Sequence, residues 1–460
     1  MGNKKNAWLK FDDTKKEEIF IFCEGYKKYI SDCKTERESI KEAIYLAESK
    51  GYRDLKNVIS AGKSLKAGDK VYYNNMDKSL ALFLIGSESI ESGMRIIGSH
   101  VDSPRLDLKP NPLYEDSELS LMETHYYGGV KKYQWVTIPL ALHGVVVKKD
   151  GTKIDVVVGE EETDPVVMVS DLLVHLASEQ QQKKATEVIA GEDLNILVGS
   201  MPLEGEEKEA VKANILKLLK EKYDFEEEDF MSAEIEIVPA GKARDLGLDR
   251  SMVAGYGHDD RICAYTSLLA LLETESVKKT SVVLLVDKEE VGSIGATGMQ
   301  SRFFENAVAE LMDRVGEYSE LKLRRALANS KMLSSDVTAA FDPNYAGAYE
   351  KKNSAFFGKG LAFAKYTGAR GKSGCNDANA EFVAWLRNVM DENDVAYQMA
   401  ELGKVDQGGG GTIAYILAEY GMEVIDCGVA LQNMHAPWEV ASKVDIFETM
   451  RGYKAFLLAE

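Results

Sequence analysis

Ser281-Val282-Val283-Leu284-Leu285-Val286 runs without interruption into Asp287-Lys288-Glu289-Glu290-Val291-Gly292-Ser293. A strand covered on both faces reads as a continuous apolar run, whereas one with a wet face alternates, so the first six residues predict an interior strand of an α/β fold. Ligand sites in such folds form beyond the carboxyl ends of the strands. Glu289 and Glu290 therefore belong in a crevice. Neighbours on a regular strand face opposite ways, but Gly292, Gly295 and Gly298 allow the chain to turn and bring both carboxylates to one cleft. One can then bind a metal while the other handles a proton.

Outward from this strand, the pattern is helix and strand in alternation. Thr14-x-x-Glu17 and Thr35-x-x-Glu38 read as capping boxes that open a pair of helices ending at Gly51. Leu80 to Ile85 and Met94 to Ile97 are strand candidates, and the second delivers Gly98-Ser99-His100-Val101-Asp102-Ser103-Pro104. Between about Asp107 and Asp249 the texture changes to short runs such as Val145 to Val147, Ile154 to Val158 and Ile196 to Val198. That stretch also holds an acidic surface helix within Glu204 to Asp229 and an alternating, half-exposed strand from Ala233 to Val238. Alternation then resumes, with helices over Arg261 to Thr274, Phe304 to Val315, Ala380 to Met390, Thr412 to Tyr420 and Val444 to Leu458, and a strand over Glu423 to Val429. The expected organisation is an α/β domain over 1–107 and 248–460, split by a β-rich insertion over 108–247.

Composition narrows the function. The chain has 460 residues, 45% of them apolar, with 56 basic against 75 acidic side chains and a formal charge of -19. That length suits two or three domains, of which two is the expected number, and that charge disfavours nucleic acid or an anionic membrane surface as a partner. No apolar stretch is long enough to span a bilayer, and the amino terminus lacks a secretory h-region. Gly2 fits an acylation signal, but Asn6 stands where Ser or Thr is required. Five scattered cysteines with no CxxC pair are expected to be reduced, mostly buried thiols of a cytoplasmic protein.

Imidazole and carboxylate groups of the kind a catalytic zinc uses recur near predicted strand and helix ends: His100 and Asp102, Asp259 and Asp260, Glu289 and Glu290, Asp336, and His435. Asp102 is spaced to hydrogen-bond the far ring nitrogen of His100, or alternatively to cap the turn before Pro104. Taken alone, Asp259 and Asp260 suit helix capping, Asp336 a turn, and His435 a structural role. The conjunction of two histidines with several carboxylates in one predicted domain points to a metal site.

The motifs HVDSP, HDDR, DKEEVGS, SSD and the Met-His of MHAPWE, in that order along the whole chain, resemble those of the aspartyl aminopeptidase family of dinuclear zinc exopeptidases. The resemblance implies a mixed central sheet flanked by helices, with the insertion serving as a dimerisation domain. It implies two zinc ions per subunit, with cobalt or manganese as substitutes. His100, Asp259, Glu290, Asp336 and His435 would be the ligands, Glu289 the general base, and Asp102 the partner that orients His100. His175 is the candidate for a histidine that enters a neighbouring subunit's site, within a tetrahedral dodecamer built from dimers. Peptides would be the substrates. The family often has Asn where this chain has Asp260, and Met-His-Ser where this chain has Ala436-Pro437 after His435. These departures imply a divergent bacterial branch whose preferred N-terminal residue need not be acidic.

His125, His143 and His258 match no role in the family and read as structural. Gly408 to Gly411 precede a predicted helix but lack the Gly-Lys-Ser/Thr of a phosphate loop, so they are expected to line a peptide cleft. Lys365, Arg370 and Lys372 suit an acidic substrate residue or a solvated loop equally. Two rivals stand beside the aminopeptidase: a dinuclear deacylase of N-acyl amino acids, which shares this metal chemistry, and a non-catalytic peptide- or cargo-binding scaffold on a peptidase fold. The presence of a complete ligand set and a base disfavours the scaffold.

Overall fold

The computed structural model describes residues 5–460; Gly2 lies outside them, and Asn6 caps a short turn by accepting the N–H of Trp8 at 3.0 Å. The chain divides into two compact units. The first comprises Met1–Asp102, Ala243–Met434 and Glu439–Glu460, and the second Ser103–Lys242 with His435–Trp438. The divisions fall a few residues before positions 107 and 247, and the four residues from His435 go with the second unit.

The first unit is built on a nine-stranded mixed sheet in the order Arg53–Asp54, Lys70–Asn75, Ser79–Leu84, Ser281–Val286, Arg95–His100, Lys331–Ser335, Glu423–Gly428, Leu361–Ala364, Tyr397–Met399. Four adjacent central strands, those starting at Ser281, Arg95, Lys331 and Glu423, are mutually parallel. Their register places Val286 opposite His100 and Ser334 opposite Gly98, so their carboxyl ends align. Side chains alternate between two cores: Leu82, Ile97, Val283, Leu285, Leu333 and Ile425 enter one, and Phe83, Ile96, Val282, Leu284, Met332 and Val424 the other. Apolar cover on both faces is why Ser281–Val286 shows no alternation. Helices Asp13–Asp32, Glu36–Ser49, His258–Leu272, Ala380–Glu392 and Lys443–Leu458 supply the first core, and Phe303–Arg314 and Glu320–Ala328 the second. A five-stranded sheet, Arg244–Leu246, Met252–Gly255, Glu439–Ser442, Ala430–Gln432, Thr338–Ala339, completes the unit.

The second unit carries a seven-stranded sheet whose paired strands are all antiparallel: Lys153–Val158, Leu140–Val147, Ala233–Pro239, Arg105–Asp116, Leu119–Tyr127, Ile196–Gly199, Met168–Val169. The fold class is thus α/β with a strand-rich insertion.

Several local expectations shift. Thr35 forms its capping box with Glu38, but Thr14 caps nothing: Asp12 accepts the N–H of Lys15 at 2.8 Å and starts the first helix earlier. Ala233–Pro239 is not half-exposed, because Glu236 is buried and its carboxylate lies 3.2 Å from the guanidinium of Arg105. The helix expected from Thr412 spans only Ala414–Ala418, since the Thr412 hydroxyl is bound to Asp426 at 2.6 Å ahead of it. All five cysteines are free thiols, and all but Cys375 are buried. Among the described residues no helix is long and apolar enough to cross a membrane.

Candidate metal centre

Three segments reach the aligned carboxyl ends of the parallel strands. His100 closes one strand, Asp336 follows another, and after Val286 the chain turns through Lys288 at φ 69° into a 3-10 turn, Glu289–Val291, closed by Gly292 at φ 96°. This turn, not a regular strand, brings both glutamates to one side. Asp259 and Asp260 enter from the start of His258–Leu272 with non-helical dihedrals.

These segments bring His100, Asp102, Asp259, Asp260, Glu289, Glu290 and Asp336 together. The Nε2 of His100 lies 3.1 Å from Asp259 Oδ1, 3.8 Å from Asp336 Oδ1 and 3.9 Å from Glu289 Oε2. Donor atoms of His100, Asp260 and Asp336 lie within 4.8 Å of one another, as do those of His100, Glu289 and Glu290. On its other side, His100 Nδ1 is 3.3 Å from Asp102 Oδ1 and 3.0 Å from the Asp102 carbonyl. Both partners are acceptors, so Nδ1 carries a proton and Nε2 faces the carboxylates.

Asp102 does more than orient the imidazole. Its two carboxylate oxygens accept the backbone N–H groups of Glu289 and Glu290, each at 3.2 Å, so the buried Asp102 fixes the turn that carries the pair. The N–H of Asp259 is held by Glu439, and that of Asp336 by the carbonyl of Cys427 at 2.9 Å. Asp260 accepts the N–H of His100 at 3.3 Å, and its buried carboxylate also faces the thiol of Cys263.

The electrostatics show a cluster short of positive charge. Burial pulls the His100 imidazole down, yet its bonds to Asp102, Asp259 and Asp336 prevail and hold its pKa well above the ordinary value. Burial pushes Glu289 up to about 8, with Asp336, Asp102 and Asp259 adding to the rise and His100 opposing it. Burial likewise raises Asp336 and Asp260. One imidazole nitrogen among several carboxylates whose donor atoms lie within 4.8 Å of one another is a nitrogen and oxygen donor set that fits a divalent cation such as zinc.

Two further candidates lie in the second unit. His435, at φ 65° and half-buried, makes a hydrogen bond from Nδ1 to the carbonyl of Gly129 at 3.0 Å. His175 is exposed within the irregular stretch Asp171 to Leu176, beside exposed Leu172, Leu173 and Val174. His258 is buried between the hydroxyl of Tyr26 and the carbonyl of Val253. Glu439 escaped sequence reasoning; its only signal was a carboxylate opening the apolar run Val440-Ala441 after Trp438.

The family model for the aminopeptidase I zinc metalloproteases (M18) matches residues 29–457. A probable M18 family aminopeptidase 1 of Clostridium acetobutylicum is 66% identical over 98% of both chains. The crystal structure of aminopeptidase I from that organism superposes with a TM-score of 0.93 at 63% identity over 100% of both chains, and that of an M18 aminopeptidase from Thermotoga maritima with 0.95 at 45% identity over 99% of both. The yeast mApe1 dodecamer shares the fold, at a TM-score of 0.76 and 20% identity over 95% of this chain and 96% of that one. Among the readings that the motifs allow, the aminopeptidase is the one supported: the chain belongs to the M18 family of zinc metallo-aminopeptidases.

Proposed function

We propose that this aminopeptidase uses two zinc ions held by His100, Asp259, Glu290, Asp336 and His435, with Glu289 as general base, to release the N-terminal residue of peptides. The observation that carries the reading is the approach of His100 Nε2 to Asp259, Asp336 and Glu289 within 3.9 Å in a buried, strongly anionic pocket. When bound there, zinc supplies Lewis acidity toward a carbonyl and lowers the pKa of a water. Glu289 takes the proton of the attacking water and passes it to the leaving amine; burial, which raises its proton affinity, suits it to both transfers. Asp102 keeps the tautomer of His100 and the turn of the two glutamates fixed during this exchange. Cobalt or manganese would also be accepted by these nitrogen and oxygen donors.

The same proposal assigns the insertion over 108–247 to dimerisation and exposed His175 to a neighbouring subunit's site, within a dodecamer like that of yeast mApe1. The protein is cytoplasmic in this reading, with peptides as partners and neither nucleic acid nor membrane. The acidic balance and free cysteines support it.

Glu289→Gln tests the chemistry. The variant is expected to retain wild-type zinc content by elemental analysis and to lose on the order of 10² to 10⁴ in turnover of free-amine aminoacyl substrates. Near-normal turnover refutes the assignment of the base. Faster hydrolysis of N-acylated than of free-amine substrates by the wild type would restore the deacylase reading.

A further inference from the structure

We infer that Glu439 is a positioning residue for the metal centre, its carboxylate fixing the backbone of Asp259 and thereby the side chain that Asp259 presents to His100. The inference rests on the two-zinc reading above. Glu439 is 1% exposed and opens the strand Glu439–Ser442, which pairs antiparallel with Met252–Gly255 so that Gly255 lies opposite Glu439. Four residues beyond Gly255, the N–H of Asp259 donates to Glu439 Oε2 at 3.0 Å.

A carboxylate is costly to bury unless it is well bonded, and the N–H of Asp259 is one partner that this carboxylate has. The location of this bond gives it a consequence beyond stability. Asp259 (φ -82°, ψ 106°) and Asp260 (φ -117°, ψ 25°) both lie outside helical geometry, so the N–H of Asp259 stands ahead of the helical ladder and donates to Glu439. The bond to Glu439 is made to the residue whose Oδ1 stands 3.1 Å from His100 Nε2, and a shift of that peptide moves that oxygen. Glu439 also follows His435 by four residues, so the segment that carries one proposed ligand carries the anchor of another.

The test uses the full chain stripped of metal, as wild type, E439D and E439Q. Asp keeps the charge but falls one methylene short of the Asp259 N–H, whereas Gln keeps the reach and an acceptor oxygen. Zinc affinity is measured by competition with a chromophoric chelator, and coordination by the visible spectrum of the cobalt-loaded protein. E439D is expected to lose about tenfold or more in affinity for one zinc and to shift the cobalt bands, while E439Q stays within a few-fold of wild type in both. E439D with wild-type affinity and spectrum overturns the inference, as does E439Q impaired in zinc affinity; if E439D does not fold, E439A, which removes the acceptor, takes its place, with the same loss expected and wild-type affinity overturning the inference. Wild type that takes up no zinc removes the two-zinc reading and this inference together. Wild type that fills both sites alongside an unchanged E439D removes only the role of Glu439.

Discussion

Gly428→Ala is expected to reach the proposed metal centre from the fold. Gly428 ends the strand Glu423–Gly428, and a Cβ on it would stand 2.1 Å from the carbonyl oxygen of Asp336, 2.6 Å from the carbonyl carbon and 2.9 Å from Cys263 Sγ. Two of these are backbone atoms that cannot rotate aside, and the N–H of Asp336 is tied to Cys427 at 2.9 Å on the same strand. To open the closest approach from 2.1 Å to the 3.0 Å below which such contacts are essentially never seen, Asp336 must move by about 0.9 Å. Displacements near 1 Å at a reacting centre cost on the order of 10²-fold in rate, while the overpacking itself destabilises by about 1–3 kcal/mol. Gly347 is the control: its Cβ would meet nothing within 4 Å. At saturating zinc, kcat/KM on a free-amine peptide should fall on the order of 10²-fold in Gly428→Ala and stay unchanged in Gly347→Ala, with folding followed by circular dichroism. A folded Gly428→Ala enzyme within a few-fold of wild type, or an equal loss in the control, refutes the link between this glycine and Asp336.

Tyr26→Phe removes the hydroxyl that bonds buried His258 Nδ1 at 2.5 Å, and leaving that nitrogen unsatisfied should cost about 1–3 kcal/mol in urea denaturation; no change would mean that the imidazole has another donor. Asp445 is buried, and burial pushes its carboxyl up to about 7 even though it accepts the N–H groups of Gly358 and Gly360 at 2.7 Å each. The folded state therefore binds this proton more tightly than the unfolded chain, whose Asp titrates near 3.9, so its contribution is full below about pH 4 and is lost as pH rises through about 7. Asp445→Asn should flatten the pH dependence of stability in that window, by at most about 4 kcal/mol; parallel curves for variant and wild type would refute it. Stripping zinc with a chelator should lower the urea midpoint and re-addition should restore it, because the proposed site gathers its ligands only in the folded chain and would bind zinc more tightly there than the unfolded chain does; a midpoint indifferent to metal would count against the site.

What the sequence exposed and what it concealed follow from the range over which each interaction acts. Ser281–Val286 was legible because burial on both faces removes alternation within six adjacent residues, and Val282 and Val283 do enter opposite cores. Thr35 was legible because its cap closes over three residues, whereas Thr14 misled because Asp12 supplied an acceptor two residues earlier. Glu236 misled in the other way: a charge in an alternating strand reads as solvent-facing unless its partner, here Arg105, is seen. The same distinction divides the candidate metal centre. His100, Glu289 and Asp336 sit at or just past the ends of apolar runs, so the topology of parallel strands gathers them without any long-range information. The groups that hold them act on backbone atoms across large sequence gaps: Asp102 on the N–H groups of Glu289 and Glu290, Glu439 on that of Asp259, and Gly428 against the carbonyl of Asp336. A bond to a peptide N–H, or a missing Cβ, demands nothing of the side chain it positions, and so it leaves no spacing or pairing in the sequence from which it could be read.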